Sequence, residues 1–319
     1  MDNPATIRQQ FIKIMTGSDL SQRKIPIVTL KSKNPGPVIW LTACAHGDEV
    51  TGIVIIQELM RYIKKNGLLK GSIYAIPIMN TIGFENVSRH VTFSNEDLNR
   101  SFPGSPAGSL AERIAFRIFD TIMDTSPDLV IDLHNDWINS IPYALVDPVE
   151  EDHEIHETII RYAAQSGLPV VVDRDLLRSS FSHSIIRQNV PSITLELGES
   201  FVVSEANVQY GLFSVLNILS NKGMLALSGG MFKYQTSKKM EKKILHYSDK
   251  PLCSTTGIIR FKVKPSEIIR KEKVMAKVYN VFGKLQESIK AESDAFLLGY
   301  SDSSFAFPGA PIVALGNFE

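Results

Sequence analysis

The stretch that decides the fold runs from residue 37 to residue 49 and reads PVIWLTACAHGDE. Its first nine residues, Pro37–Ala45, form a continuous apolar run, which is typical of a strand buried on both faces of a sheet. The polar segment HGDE follows directly, and from Val50 onward apolar residues recur every three or four positions, as in an amphipathic helix. A buried strand that leads through a polar turn into a helix predicts the first unit of an α/β sheet.

Apolar strands and amphipathic helices continue to alternate along the chain as far as residue 219. Further strands are predicted at Ser72–Met79, Asp128–Leu133, Tyr143–Val146, Leu168–Val172 and Ser192–Leu197. Helices are predicted at Val50–Lys65, Ser109–Met123, Glu154–Ser166 and Ala206–Leu219. Strands separated by helices favour parallel pairing, because each helix can carry the chain back across the sheet. We therefore predict an α/β fold, with a mixed, mostly parallel sheet flanked by helices.

The pattern changes in the C-terminal part of the chain. Short β-like runs at Gly257–Val263, Lys273–Val278 and Ala295–Leu298 are separated there by prolines and glycines. This punctuation is typical of all-β structure. We therefore predict two domains, an α/β domain at residues 1–245 and a small all-β domain at residues 246–319.

Composition excludes several classes of protein. The 34 Lys and Arg residues balance 34 Asp and Glu residues, and this zero net charge argues against binding nucleic acid through its phosphates. The two cysteines, Cys44 and Cys253, are too few for a disulfide framework. The first 20 residues lack the apolar core of a signal peptide, and no apolar stretch approaches the roughly 18 residues of a membrane span. We expect a soluble cytoplasmic protein without membrane partners.

Polar side chains stand at the ends of three predicted strands. His46 and Glu49 follow the first strand, His134 follows the strand at residues 128–133, and Glu196 closes the strand at residues 192–197. In open α/β sheets, ligands bind outside the carboxyl ends of the strands. We therefore expect these side chains, although far apart in the sequence, to converge at one edge of the sheet.

The chemistry of these side chains is that of a catalytic metal site. Two imidazoles and one carboxylate, from His46, His134 and Glu49, leave a fourth position open on a zinc ion. Glu196 could then act as the base that takes a proton from the attacking water. Taken alone, an H-x-x-E pair often occurs by chance, and a single histidine after a strand is commonly structural. It is their convergence that favours the metal site.

A long loop at Asn80–Gly108 adds two candidate cations, Arg89 and Arg100. Loops built on a rigid scaffold commonly carry binding residues. A guanidinium group can bind a carboxylate with two hydrogen bonds or stabilise an oxyanion. The alternative is that either arginine holds the loop together through backbone carbonyls.

Four blocks together resemble the succinylglutamate desuccinylase/aspartoacylase family, within the zinc carboxypeptidase-like hydrolases. They are AHGDEVTG at Ala45–Gly52, DLNRSFPG at Asp97–Gly104, DLH at Asp132–His134 and ELG at Glu196–Gly198. Their order and spacing also match the family. The resemblance implies one zinc ion per chain and a small C-terminal β domain that partly covers the active site. Imidazole and carboxylate ligands suit other first-row ions as well, so the choice of zinc rests partly on the resemblance.

The resemblance also implies a role for each matched residue. The implied roles are zinc ligands for His46, Glu49 and His134, general acid/base for Glu196, carbonyl polarisation for Arg89, binding of the substrate carboxylate for Asn99 and Arg100, and orientation of a zinc-bound imidazole for Asp97. A further arginine upstream of Glu196 and a C-terminal tyrosine are expected in the pocket. Arg178 and Arg187 are the candidates for the first, and Tyr279 and Tyr300 for the second.

The function that these observations predict is a zinc-dependent deacylase, which cleaves the amide bond of a small N-acyl amino acid. One alternative is a zinc carboxypeptidase that acts on a peptide C-terminus. Another is a non-catalytic metal-binding member of the family, although mere metal binding needs no base such as Glu196. The acyl group and the amino acid of the substrate stay open, and so does assembly into a homo-oligomer.

Overall fold

A computed structural model of the chain describes residues 5–16, 20–136, 139–149, 155–174, 177–227, 229–237, 240, 243–301 and 303–318. The strands are β1 (Thr6–Thr16), β2 (Gln22–Lys31), β3 (Val38–Ala43), β4 (Ser72–Ile76), β5 (Leu129–Asp136), β6 (Asn139–Ser140), β7 (Tyr143–Val146), β8 (Val170–Val172), β9 (Ser192–Glu199), β10 (Ile244–Ser248), β11 (Gly257–Phe261), β12 (Ile268–Ile269), β13 (Val274–Tyr279), β14 (Leu285–Lys290), β15 (Ala295–Tyr300), β16 (Phe305–Ala306) and β17 (Val313–Asn317). The helices are α1 (Thr51–Asn66), α2 (Thr81–Glu85), α3 (Leu110–Met123), α4 (His156–Gln165), α5 (Phe181–Ile186) and α6 (Glu205–Asn221), and a 3₁₀ turn covers Leu98–Arg100.

Most of the strands belong to one large mixed sheet with the order β1-β2-β4-β3-β5-β9-β7-β8-β10-β17-β15-β12, and β6 pairs with β15. Strands β4, β3, β5 and β9 run parallel to one another, and so do β7, β8 and β10. Antiparallel pairing joins these two groups at β7 and β9. The predicted mixed α/β sheet is confirmed.

Helices cover this sheet on both faces, as predicted. One apolar cluster packs α1, α4 and α6 against the sheet, and a second packs α2, α3, α5 and the β1–β2 hairpin against it. The stripe of α1 that faces the first cluster includes Ile55, Leu59 and Ile63, which are fully buried at helical spacing. No described helix has the length and apolar character that a bilayer-crossing segment needs.

The C-terminal strands divide between two sheets. Strands β10, β17, β15 and β12 continue the large sheet, whereas β14, β13, β11 and β16 form a separate antiparallel sheet. Strand β10 crosses the predicted domain boundary between residues 245 and 246 and pairs with both β8 and β17. The β character of this part of the chain is confirmed, and the boundary itself stays a prediction.

Two parts of the fold are not apparent in the sequence pattern. The β1–β2 hairpin lies at the edge of the sheet, and most side chains of β1 are exposed, so an apolar run does not mark it. Helix α5 has only six residues, which is too short for a helical repeat of apolar positions to stand out.

Replacing Leu59 by Ala should test how firmly α1 is packed. The change opens a cavity in the core, and we expect it to lower the free energy of unfolding by about 2–5 kcal/mol. Urea unfolding followed by circular dichroism measures this. The matched control is Arg61→Ala on the exposed side of the same helix, where we expect a change of at most about 0.5 kcal/mol. Equal losses in both variants would contradict this packing.

Candidate metal and substrate site

The predicted site residues meet at the carboxyl ends of three neighbouring strands. His46 follows β3, His134 lies near the end of β5, and Glu196 lies in β9. Strand β5 pairs in parallel with both β3 and β9, and His134 stands directly beside Glu196 in the register. Glu49 enters from the turn between β3 and α1.

The two histidines converge on the carboxylate of Glu49. Nδ1 of His46 lies 2.6 Å from Oε1 of Glu49, and Nδ1 of His134 lies 2.9 Å from Oε2. One ligand atom from each of the three residues can be chosen so that all lie within 4.8 Å of one another, and all three side chains are buried. Donor atoms this close together could hold a single metal ion.

Each histidine is held from behind by a second carboxylate. Nε2 of His46 lies 3.2 Å from Oδ1 of Asp97, and Nε2 of His134 lies 2.7 Å from Oδ2 of Asp132. Thr42 in turn donates a hydrogen bond of 2.6 Å to Oδ1 of Asp132. Carboxylates that orient histidines in this way are a regular feature of metal sites, where they fix the ring and raise its basicity.

The family resemblance implied this orienting role for Asp97 but gave no role to Asp132. The signal was present in the DLH block. Residues two apart on a strand point to the same side, so a carboxylate two positions before His134 could have been expected to reach its ring.

Charge balance in this cluster favours a cation. Burial alone would raise the pKa of Glu49, but the two histidines hold it well below its usual range. Burial acts in the opposite direction on the histidines, yet the carboxylates around them raise the pKa of both His46 and His134. The chemistry of this donor set, two imidazoles and an ionised carboxylate, fits a zinc ion with an open position.

Tight packing fixes the path of the segment that carries His46 and Glu49. Cys44 leaves β3 with a φ of 56°, in the left-handed region. A Cβ atom on Gly47 would lie 2.0 Å from the carbonyl carbon of Gly83, so only glycine lets the segment pass over α2. The Gly47 N–H also donates to the Ser88 carbonyl at 3.0 Å. Contacts with α2 and with Ser88 therefore fix the backbone that carries His46 and Glu49.

Glu196 lies in the same cavity. Its Oε2 atom is buried and has no hydrogen-bond partner among the described residues. Burial, together with the nearby carboxylates of Asp136, Glu49 and Asp132, raises the pKa of Glu196 well above its usual range, against the opposing effect of His134. A raised pKa brings a carboxyl group closer to neutral pH, where it can both take and give a proton.

The loop between α2 and α3 supplies the predicted cations. Arg89 lies 3.2 Å from Asp97 and 3.6 Å from Glu49, at the edge of the histidine cluster. Arg100 donates to the carbonyl of Asn99 at 2.9 Å, and the Asn99 side chain accepts a hydrogen bond from the N–H of Phe181. Both alternatives for Arg100 stay open, because it contacts its own loop and also lines the cavity.

These residues surround a cavity of about 540 Å³. The residues predicted for the site that line it are His46, Glu49, Arg89, Asn99, Arg100, His134 and Glu196. Asp97 lies behind His46 and Arg89 and contacts both.

The four further candidates lie elsewhere. Among the described residues that line the cavity there is neither Arg178 nor Arg187, and neither Tyr279 nor Tyr300. Tyr300 stacks on Phe261 within the C-terminal strands. The C-terminal tyrosine that does line the cavity is Tyr247 on β10, next to the residues that pair with β8, and Tyr143 on β7 lines it as well. The sequence lacks a local motif for Tyr247, because its position depends on pairing between distant strands.

Comparison with known proteins places this geometry in a family. The model of the succinylglutamate desuccinylase/aspartoacylase catalytic domain matches residues 35–221, which is more than half of the chain. The chain belongs to this family. Its members are deacylases, and the predicted site residues from His46 to Glu196 all fall within the matched range.

Individual relatives support the same assignment. The N-alpha-acetyl-L-2,4-diaminobutyric acid deacetylase of Halomonas elongata is 27% identical over 316 residues, covering 91% of this chain and 86% of that protein. A succinylglutamate desuccinylase/aspartoacylase of Rhodobacter sphaeroides has a TM-score of 0.84 at 20% identity, with coverage of 100% and 97%. The product-bound ectoine utilization protein EutE (DoeB) of Ruegeria pomeroyi has a TM-score of 0.82 at 21% identity, with 99% of each chain covered. The two structures show a shared fold over the whole chain.

Replacing Asp132 by Asn should weaken metal binding while leaving the three candidate ligands in place. The loss of the carboxylate behind His134 is expected to lower the affinity for zinc by about 10–100-fold. Competition with a fluorescent zinc chelator measures this affinity. Asp124→Asn, at the end of α3, is the matched control and should bind zinc like the unmodified protein. An unchanged affinity in Asp132→Asn would contradict the orienting role.

Proposed function

We propose that this protein is a zinc-dependent deacylase that hydrolyses the amide bond of an N-acyl amino acid. The observation that carries the proposal is the buried His-Glu-His set with Glu196 on the adjacent strand. Family membership supports it, and so does the Halomonas relative, whose name describes removal of an acetyl group from an amino acid. The cavity volume of about 540 Å³ suits a small substrate better than a peptide.

One zinc ion per chain would be held by His46, Glu49 and His134. When bound there, zinc supplies Lewis-acid chemistry, which polarises a carbonyl and lowers the pKa of a water molecule to about 7. Asp97 and Asp132 keep the two imidazole rings oriented towards Glu49, because each aspartate contacts the Nε2 atom of a ring whose Nδ1 atom faces Glu49. The protein thereby contributes a preformed set of donor atoms.

Glu196 moves the proton in this proposal. Its carboxylate takes a proton from the water that attacks the acyl carbonyl and then delivers it to the nitrogen of the departing amino acid. The amide C–N bond breaks as that nitrogen is protonated, which releases a carboxylic acid and a free amine. The position of Glu196 beside His134 supports this role, because it places the base next to the candidate metal ligands.

The residues of the loop between α2 and α3 bind the carbonyl oxygen and the carboxylate of the substrate. Arg89, beside Glu49, stabilises the negative charge that develops on the carbonyl oxygen. Asn99 and Arg100 hold the carboxylate of the amino acid, for which a guanidinium group provides two parallel hydrogen bonds. A cytoplasmic location and a homo-oligomeric state stay predictions from the sequence.

Metal analysis of the purified protein should find about one zinc ion per chain, lost in His134→Ala. Removal of the metal by a chelator should abolish hydrolysis of N-acetyl amino acids, and added zinc should restore it. His156→Ala, on α4 and outside the cavity, is the control and should keep its metal. A metal content that does not change in His134→Ala would contradict the proposed ligand set.

Replacing Glu196 by Gln should remove the base and retain the shape of the side chain. We expect kcat to fall by about 10²–10⁴-fold while the zinc content stays at the normal level. Glu205→Gln at the exposed start of α6 is the control, with kcat close to normal. Near-normal turnover in Glu196→Gln would show that another group moves the proton.

A further inference from the structure

One wall of the cavity carries two carboxylates that the proposed mechanism does not use. Asp147 follows β7 and Asp173 follows β8. These strands pair in parallel with Val146 beside Val172, and the N–H of Asp173 donates to the carbonyl of Val146 at 2.9 Å. The two aspartates therefore occupy adjacent positions at the carboxyl ends of adjacent strands, and both line the cavity.

A buried hydroxyl stands beside them. Ser182 on α5 is only 5% exposed and also lines the cavity. It lies close enough to Asp147 to act on the pKa of that carboxyl. Its Oγ atom nevertheless completes no hydrogen bond within the described part of the chain. Buried hydroxyl groups are normally paired, so an unpaired one at a cavity wall points to a polar group of a ligand.

The charge of the cavity indicates the sign of that ligand group. Among the described residues that line the cavity, seven carboxylates face two guanidinium groups. The carboxylates still outnumber the positive charges after a divalent cation is added. Burial raises the pKa of Asp147 to about 6, and the nearby carboxylates of Asp173 and Asp132 add to this effect. Ser182 and Arg100 act in the opposite direction. A positive group beside Asp147 would relieve this repulsion.

A second metal ion is a poorer occupant than an organic cation. Within the described residues, the only set of three or more side chains placed to hold a metal is His46, Glu49 and His134. An ammonium group needs less, because it has three N–H donors and no preferred coordination shell. Two carboxylates and a hydroxyl oxygen offer it acceptors of the right kind.

We propose that Asp147 and Ser182, with Asp173 beside them, bind a positively charged ammonium group on the substrate. This inference rests on the proposed function and gives it a substrate class, namely N-acyl derivatives of diamino acids whose second amino group is free. Arg100 would hold the carboxylate of the same molecule, so that the two charged ends of the amino acid bind to groups of opposite charge.

The test compares substrates that differ only in this charge. The zinc-loaded protein is assayed with the Nα-acetyl derivatives of L-2,4-diaminobutyrate, L-ornithine and L-lysine. Each is paired with the neutral analogue in which a methyl group replaces the ammonium group. We expect kcat/KM to be at least about tenfold higher for one or more of the charged substrates, the factor typical of a hydrogen bond to a charged group.

Asp147→Asn should remove most of this preference. The expected change is a rise in KM of about 10–100-fold for the charged substrate, with kcat/KM for the neutral analogue nearly unchanged. Ser182→Ala should have a smaller effect in the same direction and serves as a second variant if Asp147→Asn does not fold. The matched control is Asp120→Asn on the exposed side of α3, which should keep the preference. Equal losses on charged and neutral substrates in Asp147→Asn would overturn the inference.

Binding of the free diamino acids separates this inference from the proposed function. Calorimetry on the zinc-loaded protein with L-ornithine and with L-norleucine needs no turnover. Tighter binding of ornithine that is lost in Asp147→Asn supports the ammonium site even if no acyl substrate is hydrolysed. Hydrolysis of neutral N-acetyl amino acids without any preference for a charged side chain, and without tighter binding of ornithine, would overturn the ammonium site and leave the deacylase proposal intact.

Discussion

The site depends on one buried negative charge, the carboxylate of Glu49. A buried carboxylate is costly unless it is paired and hydrogen-bonded. Here both oxygens face an imidazole nitrogen, one from His46 and one from His134, and Oε2 also accepts the backbone N–H of Asn135 at 3.0 Å. The cost of burying this charge explains why both oxygens of Glu49 have hydrogen-bonding partners. The rings that compensate it are in turn fixed by carboxylates, so the polarity of the cluster alternates outward from Glu49.

The order of the strands makes this cluster possible and extends it. Parallel strands β3, β5 and β9 bring the histidines and Glu196 to one edge. The sheet then continues through β7, β8 and β10, which run antiparallel to β9, and Asp147, Asp173 and Tyr247 lie in these strands or directly after them. Residues from both groups of strands line the cavity, together with Arg89 and Arg100 from the loop between α2 and α3. The candidate metal ligands and the carboxylates proposed for side-chain recognition therefore line one cavity, although they belong to strands of opposite direction.

The sequence predicts the parts of this arrangement that are encoded locally. An apolar run followed by a polar turn marks β3, and the positions of His46, His134 and Glu196 at strand ends indicate their convergence. Asp147 and Asp173 follow short strands whose neighbours cannot be known without the strand order. Tyr247 reaches the cavity only because β10 pairs with β8, which is an interaction between distant segments. Long-range pairing of this kind leaves no periodic signal, so the outer pocket was beyond prediction whereas the metal cluster was not.

The origin of the charges bears on substrate orientation. The negative groups of the cavity come mostly from strand ends, and Arg89 and Arg100 come from the loop between α2 and α3. The positive and the negative groups of the cavity thus come from different segments of the chain. A substrate with one charge could bind in several ways in such a field. An N-acyl diamino acid carries both signs, so its carboxylate and its ammonium group would select one orientation and thereby aim the amide at Glu196. The two signs of charge in the cavity would then serve positioning as much as affinity.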